Sequence, residues 1–125
     1  MFVINADKSI YLTRGDIAQI VISASKVDAE DYIFQPGDVV RFRVMEKNCD
    51  DVILLKDVIV ESESLAVDIS LSGDETKIGE LINKPVDYWY EVELNPETDP
   101  QTIIGYDSDG PKIFRLFPEG GDVDG

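Results

Sequence analysis

Residues 38–45 read DVVRFRVM, and apolar and charged side chains alternate along most of this stretch. Val40, Phe42 and Val44 share one parity, whereas Arg41 and Arg43 share the other. A period of two places successive side chains on opposite faces of a β-strand. The stretch therefore predicts a strand with one face in a core and one face in water. Arg41 and Arg43 belong to the outward face, where they are candidate interaction residues.

Seven other segments show the same period or a short apolar run, and turn-forming residues separate most of them. They are 9–12 (SIYL), 17–24 (IAQIVISA), 52–60 (VILLKDVIV), 65–71 (LAVDISL), 88–94 (YWYEVEL), 101–106 (QTIIGY) and 112–117 (KIFRLF). Segment 52–60 is apolar on both parities, so it is either one bent strand or two short ones. NPETDPQ at 95–101 predicts a hairpin tip between antiparallel strands. About eight strands suffice for two packed sheets. The sequence therefore predicts an all-β antiparallel sandwich of seven to nine strands.

Two segments carry more specific expectations. In 65–71, Leu65 shares its parity with the predicted inward residues 67, 69 and 71. In SGDETKIGELI at 72–82, a Ser72 or Asp74 cap predicts at most one short helix near residues 73–82. Its apolar side chains would cover the open end of the core; they are Ile78, Leu81 and Ile82.

The tripeptide Arg14-Gly15-Asp16 matches an adhesion motif of some extracellular proteins. Here it lies between a short predicted strand and a strongly alternating one, and Gly37-Asp38 repeats the device before the next strand. Glycine supplies the backbone freedom of a turn, and aspartate bonds the local backbone. We therefore expect both stretches to be structural turns, with Arg14 spanning to an acid near the first of them.

The composition limits the partners that the chain can have. Its 125 residues fit one domain, predicted over 1–118, followed by an acidic glycine-rich tail at 119–125. Eleven Lys and Arg against 26 Asp and Glu give a net charge of −15, which disfavours nucleic acids and anionic membranes. Residues 1–12 lack the features of a secretory signal, and no apolar run has membrane-spanning length. We expect no membrane insertion and a cytoplasmic location at synthesis.

Few residues in the chain carry catalytic chemistry. There is no histidine, so Ser-His-Asp and Cys-His catalysis and His-ligated metals are excluded. The only cysteine, Cys49, lies beside Asp50 and Asp51, whose negative charge disfavours a nucleophilic thiolate. Asp107 and Asp109 precede Gly110 as in part of a calcium loop, but Pro118 stands where the distal glutamate belongs, so a hairpin turn is favoured. We expect a non-enzymatic protein without a cofactor.

The aromatic residues of 88–94 allow two interpretations. Tyr88 and Tyr90 share the parity of Val92 and Leu94, which predicts that both tyrosines fill the core. Trp89 belongs to the opposite face, where it is a candidate interface residue. The alternative is that Trp89 and Tyr106 form a platform for sugars.

The order of the motifs resembles that of the small Ig-like β-sandwich domains of phage tails. The closest resemblance is to the N-terminal domain of siphophage upper-baseplate proteins and related prophage proteins, and it covers about Ile10 to Phe117. The phrases that carry it are IYLTRGDIAQIVIS (10–23), FQPGDVVRFRVME (34–46), LAVDISLSGDET (65–76), VDYWYEVEL (86–94), QTIIGY (101–106) and KIFRLF (112–117). The family's Asp-Thr phrase corresponds to 74–76, and its tyrosine strand corresponds to Tyr88, Tyr90, Glu91, Val92 and Leu94. The segment 81–87 departs from the pattern, with Pro85 close to the place of the usual glycine.

The resemblance implies an Ig-like fold and a structural role in an oligomeric tail or baseplate, with protein partners and a place in the virion. The alternative expectation is a small carbohydrate-binding or adhesion module that uses Trp89, with calcium at Asp107 and Asp109.

Overall fold

A computed structural model describes residues 2–5, 8–25, 30–47, 51–78, 81–106 and 110–119. These ranges contain nine strands and no helix. The strands are β1 (Phe2–Ile4), β2 (Ile10–Thr13), β3 (Ala18–Ile22), β4 (Val39–Met45), β5 (Val52–Ile59), β6 (Val67–Leu71), β7 (Val86–Leu94), β8 (Gln101–Ile104) and β9 (Lys112–Phe117). The all-β prediction of seven to nine strands is confirmed.

The strands form two sheets of unequal size. The larger has seven strands in the order β1-β2-β9-β7-β4-β5, with β8 also paired to β7. The smaller consists of β3 and β6. Six strands are arranged as in a variable-type immunoglobulin sandwich. In the large sheet, the order β9-β7-β4-β5 matches G-F-C-C′, and in the small sheet β3-β6 matches B-E.

The alternation of the sequence decides which side chains enter the core. In β4, Val40, Phe42 and Val44 are completely buried, and in β3 and β6 the buried residues again occur at every second position. Tyr88 and Tyr90 of β7 are buried, as their parity predicts. Among the described residues twenty are buried in the core, and the best covered are Leu12, Phe34, Val40, Phe42, Val44, Ile69, Val92, Phe114 and Leu116. A fully buried side chain of this size contributes about 1.5–3 kcal/mol.

Segment 52–60 is one strand, β5, and a register shift opposite Val44 and Met45 accommodates its apolar run. A β-bulge places an extra residue in one strand, so the facing parity changes along it. The hairpin at 95–101 is confirmed by the antiparallel pairing of β7 with β8. Two features were not predicted: strand β1, and the parallel pairing of β2 with β9. A parallel pair needs a long connection, and almost the whole chain separates these two strands.

The segment after β6 makes a single turn. Ser72 and Glu75 cap each other reciprocally, since the Glu75 N–H donates to Ser72 Oγ (3.2 Å) and the Ser72 N–H donates to Glu75 Oε1 (3.0 Å). The Thr76 N–H reaches the Ser72 carbonyl at 3.1 Å, and among the described residues no further turn continues it into a helix.

Two predicted core residues are exposed instead. Leu65 lies before the start of β6, so strand alternation does not govern it. Leu81 is also exposed, whereas Ile78 is buried and Ile82 packs against the core. The three apolar residues predicted to cover the core therefore differ in burial. The described residues include no helix long and apolar enough to cross a membrane.

Candidate functional site

The outward face of the large sheet carries three arginine–carboxylate pairs between neighbouring strands. Each joins cross-strand partners: Arg41 with Asp57, Arg43 with Glu91, and Arg115 with Asp87. Arg41 and Arg115 are bidentate, with N–O distances of 2.8 and 3.0 Å to Asp57 and of 2.6 and 3.1 Å to Asp87. Arg43 Nη2 lies 2.9 Å from Glu91 Oε2, and its Nε lies 3.3 Å from Glu93 Oε1. The three arginines thus bind the sheet's own acids.

These pairs change the acid–base behaviour of the face. Hydrogen bonds from Arg41 hold the pKa of Asp57 below its usual value, and those from Arg115 do the same for Asp87. The carboxylates therefore stay charged as the pH falls below the ordinary carboxyl range. Because each guanidinium already has a carboxylate, Arg41 and Arg43 act first as cross-strand ties.

Trp89 lies on this face in a T-shaped contact with the ring of Tyr106. The ring centroids are 6.4 Å apart and the planes are inclined by 71°. Met45 is directly opposite Trp89 in the register and is completely buried, although it does not belong to the main core. Trp89 itself is half-buried, whereas Tyr106 is exposed. The face therefore has a small apolar cluster of its own, in which Trp89 is packed.

The last strand of the sheet, β5, leaves apolar side chains in solvent beside these pairs. Val52, Leu55 and Ile59 are 43%, 48% and 66% exposed. Their cross-strand partners are Met45, Arg43 and Val39, so all three share the outward face. We call Val52, Leu55 and Ile59 the β5 patch.

A shallow pocket of about 240 Å³ adjoins the patch. Ile59 and Pro96 form apolar parts of its wall, and the Arg41–Asp57 pair and Glu97 provide its charge. Arg41 Nη2 lies 3.5 Å from Glu97 Oε1 at its rim. An apolar strip next to a fixed charged pair has the composition of a protein interface, where arginine is enriched.

The tripeptide at 14–16 forms a tight turn. The Asp16 N–H bonds the Thr13 carbonyl at 3.0 Å, and Gly15 has φ of 90°. The Arg14 side chain is only 11% exposed; its Nε donates to the Ile78 carbonyl at 3.2 Å and its Nη1 lies 2.5 Å from Glu119. The expected acid partner of Arg14 is therefore Glu119, a residue assigned above to the tail. A side chain held in this way is not presented as an adhesion motif.

The second predicted turn, at 35–38, has Gly37 at φ of 94° and a bond from the Asp38 N–H to the Gln35 carbonyl. The Asp38 carboxylate accepts from the Gln35 N–H (2.9 Å), the Tyr32 hydroxyl (2.7 Å) and Asn95 Nδ2 (3.1 Å). Burial alone would raise the pKa of Asp38, but these three hydrogen bonds outweigh it and the pKa is lowered. The pKa of Tyr32 is raised to about 12, chiefly because its hydroxyl donates a hydrogen bond to the Asp38 carboxylate.

Within the described ranges, no three His, Cys, Asp or Glu residues are grouped so that they could hold a metal ion. The calcium candidates Asp107 and Asp109, like Cys49, lie outside those ranges. The structure brings Trp89, Arg41 and Arg43 onto one face. The turn residues Arg14, Gly15, Asp16, Gly37 and Asp38 lie at the ends of strands, and of these Gly37 also lines the pocket beside Arg41.

Sequence reasoning did not identify the β5 patch. The patch could have been found from residues 52–60, which are apolar on both parities. When only one face of such a strand packs on the core, the apolar side chains of the other face are exposed. Comparison of the chain with models of protein families, with characterised proteins and with solved structures finds no match. Function therefore has to be inferred from the geometry of this face and from the motifs of the sequence.

Proposed function

We propose that this chain is a non-enzymatic structural protein that assembles with copies of itself through the outward face of its large sheet. The β5 patch supports this proposal most directly, because three large apolar side chains are exposed together along one strand. Asp57, paired with Arg41, lies between Leu55 and Ile59 on this face, so the patch is an interrupted apolar strip. Grouped exposed apolar side chains are a mark of association sites. In the described ranges no strand pairs with the outer side of β5, so the backbone groups of that side are available for pairing.

A two-fold arrangement suits this surface. In a symmetric dimer the same patch meets itself, so a single apolar strip is enough for both partners. Arg41 and Arg43 beside it already face carboxylates of the same chain and so bring no unpaired charge into the contact, although within the described residues the buried Arg43 Nε makes no hydrogen bond. The charge of −15 opposes association, and salt screens that repulsion.

The motifs at 10–23, 34–46, 65–76 and 86–94 suggest the setting. Because they resemble those of Ig-like domains in phage tails, the proposed assembly is a phage or prophage tail or baseplate, and the protein is virion-associated. We expect genes for other tail proteins on either side of this one. A surrounding operon of metabolic genes would contradict the phage assignment while leaving self-association open.

Light scattering coupled to size-exclusion chromatography tests the assembly surface. We expect oligomers whose dissociation constant falls as the salt concentration rises. Leu55→Lys and Ile59→Lys each remove apolar contact area worth about 1.5–3 kcal/mol, which weakens association at least tenfold. The matched control is Leu81→Lys, an exposed leucine away from the sheets, and it leaves association unchanged.

A chain that stays monomeric at every protein and salt concentration contradicts the proposal. So does an oligomer that Leu55→Lys and Leu81→Lys weaken equally, since the contact would then lie elsewhere.

The carbohydrate alternative receives less support from the geometry. A sugar platform needs an open ring face, whereas Trp89 is half-buried with Tyr106 against it. Calorimetry with a glycan panel, with and without calcium, tests this alternative, and binding that Trp89→Ala abolishes would favour it over self-association.

A further inference from the structure

A groove of about 550 Å³ lies on the other side of the sandwich from β5, between the small sheet and β8. Its walls come from the end of β3 and the residues after it (21–25), from β8 (101–104), and from Lys8, Tyr32 and Leu94. This volume is within the usual range of ligand sites. The groove exists because the two sheets differ in width: two strands face a sheet of seven.

The end of β3 borders this groove, since Val21 and Ile22 are the two residues of the strand that line it. β3 pairs with β6 on one side, and in the described part of the chain no strand pairs with its other side. The β3–β6 register runs over five residue pairs without a shift, from Ala18–Leu71 to Ile22–Val67. A regular open edge is a template for another strand. A third strand would also widen the smaller sheet over the core, since two-stranded sheets are marginal by themselves.

The edge of β8 is a poorer template. Its pairing with β7 shifts between Val92 and Glu93, so that Ile104 faces Val92 and Thr102 faces Glu93, with Ile103 between them. Bulges of this kind blunt an edge against pairing. β8 therefore serves as the apolar floor of the groove, through Ile103 and Ile104 beside Leu94.

The charge of the groove differs from that of the whole chain. Acids make up 26 of 125 residues, yet the described lining contains no carboxylate and one cation, Lys8. A molecule that fits this groove is therefore mainly apolar. If it carries a carboxylate, that group is attracted to the ammonium group of Lys8. A second copy of this chain carries the same charge of −15, which opposes its approach, so a strand of a different protein is the better match.

We propose that the groove accepts an extended peptide of another protein, which pairs with the free edge of β3 and inserts every second, apolar side chain above Leu94, Ile103 and Ile104. A carboxylate of the peptide lies beside Lys8. The five residues of β3 correspond to a peptide segment of about 17 Å. Main-chain bonds supply affinity and the groove selects alternate side chains, as in other cases of strand addition.

Selection from a displayed library of random ten-residue peptides tests the proposal. Thr102 is an exposed lining residue, so Thr102→Trp fills the groove without disturbing the core. We expect peptides enriched on the wild-type protein to alternate apolar and polar residues, to carry a carboxylate, and to bind the Thr102→Trp protein at least tenfold more weakly. The matched control is Ser62→Trp, an exposed position outside the groove, and it leaves binding unchanged.

Two further measurements identify the mode of binding. A proline at the centre of an enriched peptide removes a ladder N–H, and we expect at least a tenfold loss of affinity. Lys8→Glu weakens acidic peptides several-fold and leaves their neutral amide versions unchanged. Amide exchange of β3 slows when the peptide binds, whereas that of β5 does not.

Absence of any enrichment relative to the Thr102→Trp protein overturns the proposal. Equal binding of the proline-containing peptide, or slowed exchange at β5 alone, also overturns it. If the protein without peptide forms a dimer that Thr102→Trp disrupts, the occupant is a second copy and the assignment to a foreign strand is wrong. Leu55→Lys should not alter peptide binding, so failure of the β5 contact and failure of the groove are distinguishable.

Discussion

The turns at 13–16 and 35–38 have the same construction and different surroundings. In each, a glycine with φ near 90° is the third residue, and the N–H of the following aspartate bonds the first carbonyl at 3.0 Å. This is the hydrogen bond and the glycine position of a type II turn. Around Gly37 there is open space, whereas the backbone of Gly15 is in close contact with Gly73.

The two turns are stabilised by different groups. At 13–16 the segment after β6 contacts the turn backbone. Thr76 Oγ1 donates to the Asp16 carbonyl at 2.7 Å, and Gly73 lies close to the Gly15 carbonyl. At 35–38 the Asp38 carboxylate collects three donors from its own turn, Tyr32 and Asn95. The shared Gly-Asp pair thus gives both turns the same conformation, whereas the contacts around each turn decide how much it contributes to stability.

The largest expected effect is at the contact between Gly73 and the first turn. A Cβ at position 73 would lie 2.7 Å from the Gly15 carbonyl oxygen, a backbone atom that cannot swing aside. We expect Gly73→Ala to lower the free energy of unfolding by about 2–3 kcal/mol, as overpacking does. Urea unfolding measures the change.

Gly37→Ala is the comparison for this variant. Its Cβ meets nothing within 4 Å, so the cost is the strain of a positive φ, about 1 kcal/mol. Equal losses at the two positions would mean that crowding at 13–16 is absent.

Removal of the Asp38 carboxylate tests the second turn. Asp38→Ala deprives Gln35, Tyr32 and Asn95 of an acceptor in a partly buried position, and we expect a loss of about 1–2 kcal/mol. Glu61→Ala, at an exposed position, is the charge-matched control. A loss no greater than that of the control would show that the network adds nothing to stability.

Arg14 provides a smaller test of the first turn. Arg14→Ala removes the bonds to the Ile78 carbonyl and to Glu119, and we expect a loss of about 1 kcal/mol in thermal or urea unfolding. Glu119→Gln retains an acceptor without the charge and should lose less. An Arg14→Ala protein with an unchanged melting temperature contradicts the role given to this residue.

The smallest expected effect on stability at neutral pH is that of the raised pKa of Tyr32. Its folded pKa is raised from 10.0 to about 12, so its contribution to stability is complete below pH 10 and is lost as the pH rises towards 12. For Asp38 the folded pKa is lowered, so its contribution is present above the ordinary carboxyl range and is lost as the pH falls through its folded pKa.

Tyrosinate absorbance during a base titration measures this coupling. Burial also raises the pKa of Tyr88, so Tyr88 titrates late as well. We expect one late component to move to lower pH in the Asp38→Ala protein and to be absent in Tyr32→Phe, while the Tyr88 component remains in both. Late components that Asp38→Ala leaves unchanged would contradict the coupling of Tyr32 to Asp38.

Much of the fold was predictable from local patterns. The parity of 38–45 placed Val40, Phe42 and Val44 in the core and Arg41 and Arg43 outside, because strand geometry alone alternates the two faces. The glycine turns were predictable for a similar reason, since only the local backbone needs the positive φ of Gly15 and Gly37. Leu65 failed this test because the pattern does not show where β6 begins.

The contacts between distant parts of the chain needed the tertiary structure. The pairing of Arg14 with Glu119 spans 105 residues, and the meeting of Asp38 with Asn95 spans 57. Likewise, the exposed side of β5 and the open edge of β3 follow from the order of strands in the sheets. Local patterns were enough to predict eight of the nine described strands, most of their faces and the turns, because these depend on neighbours within a few residues. The strand edges that stay unpaired in the described ranges needed the tertiary structure, because they follow from the order of the strands in the two sheets.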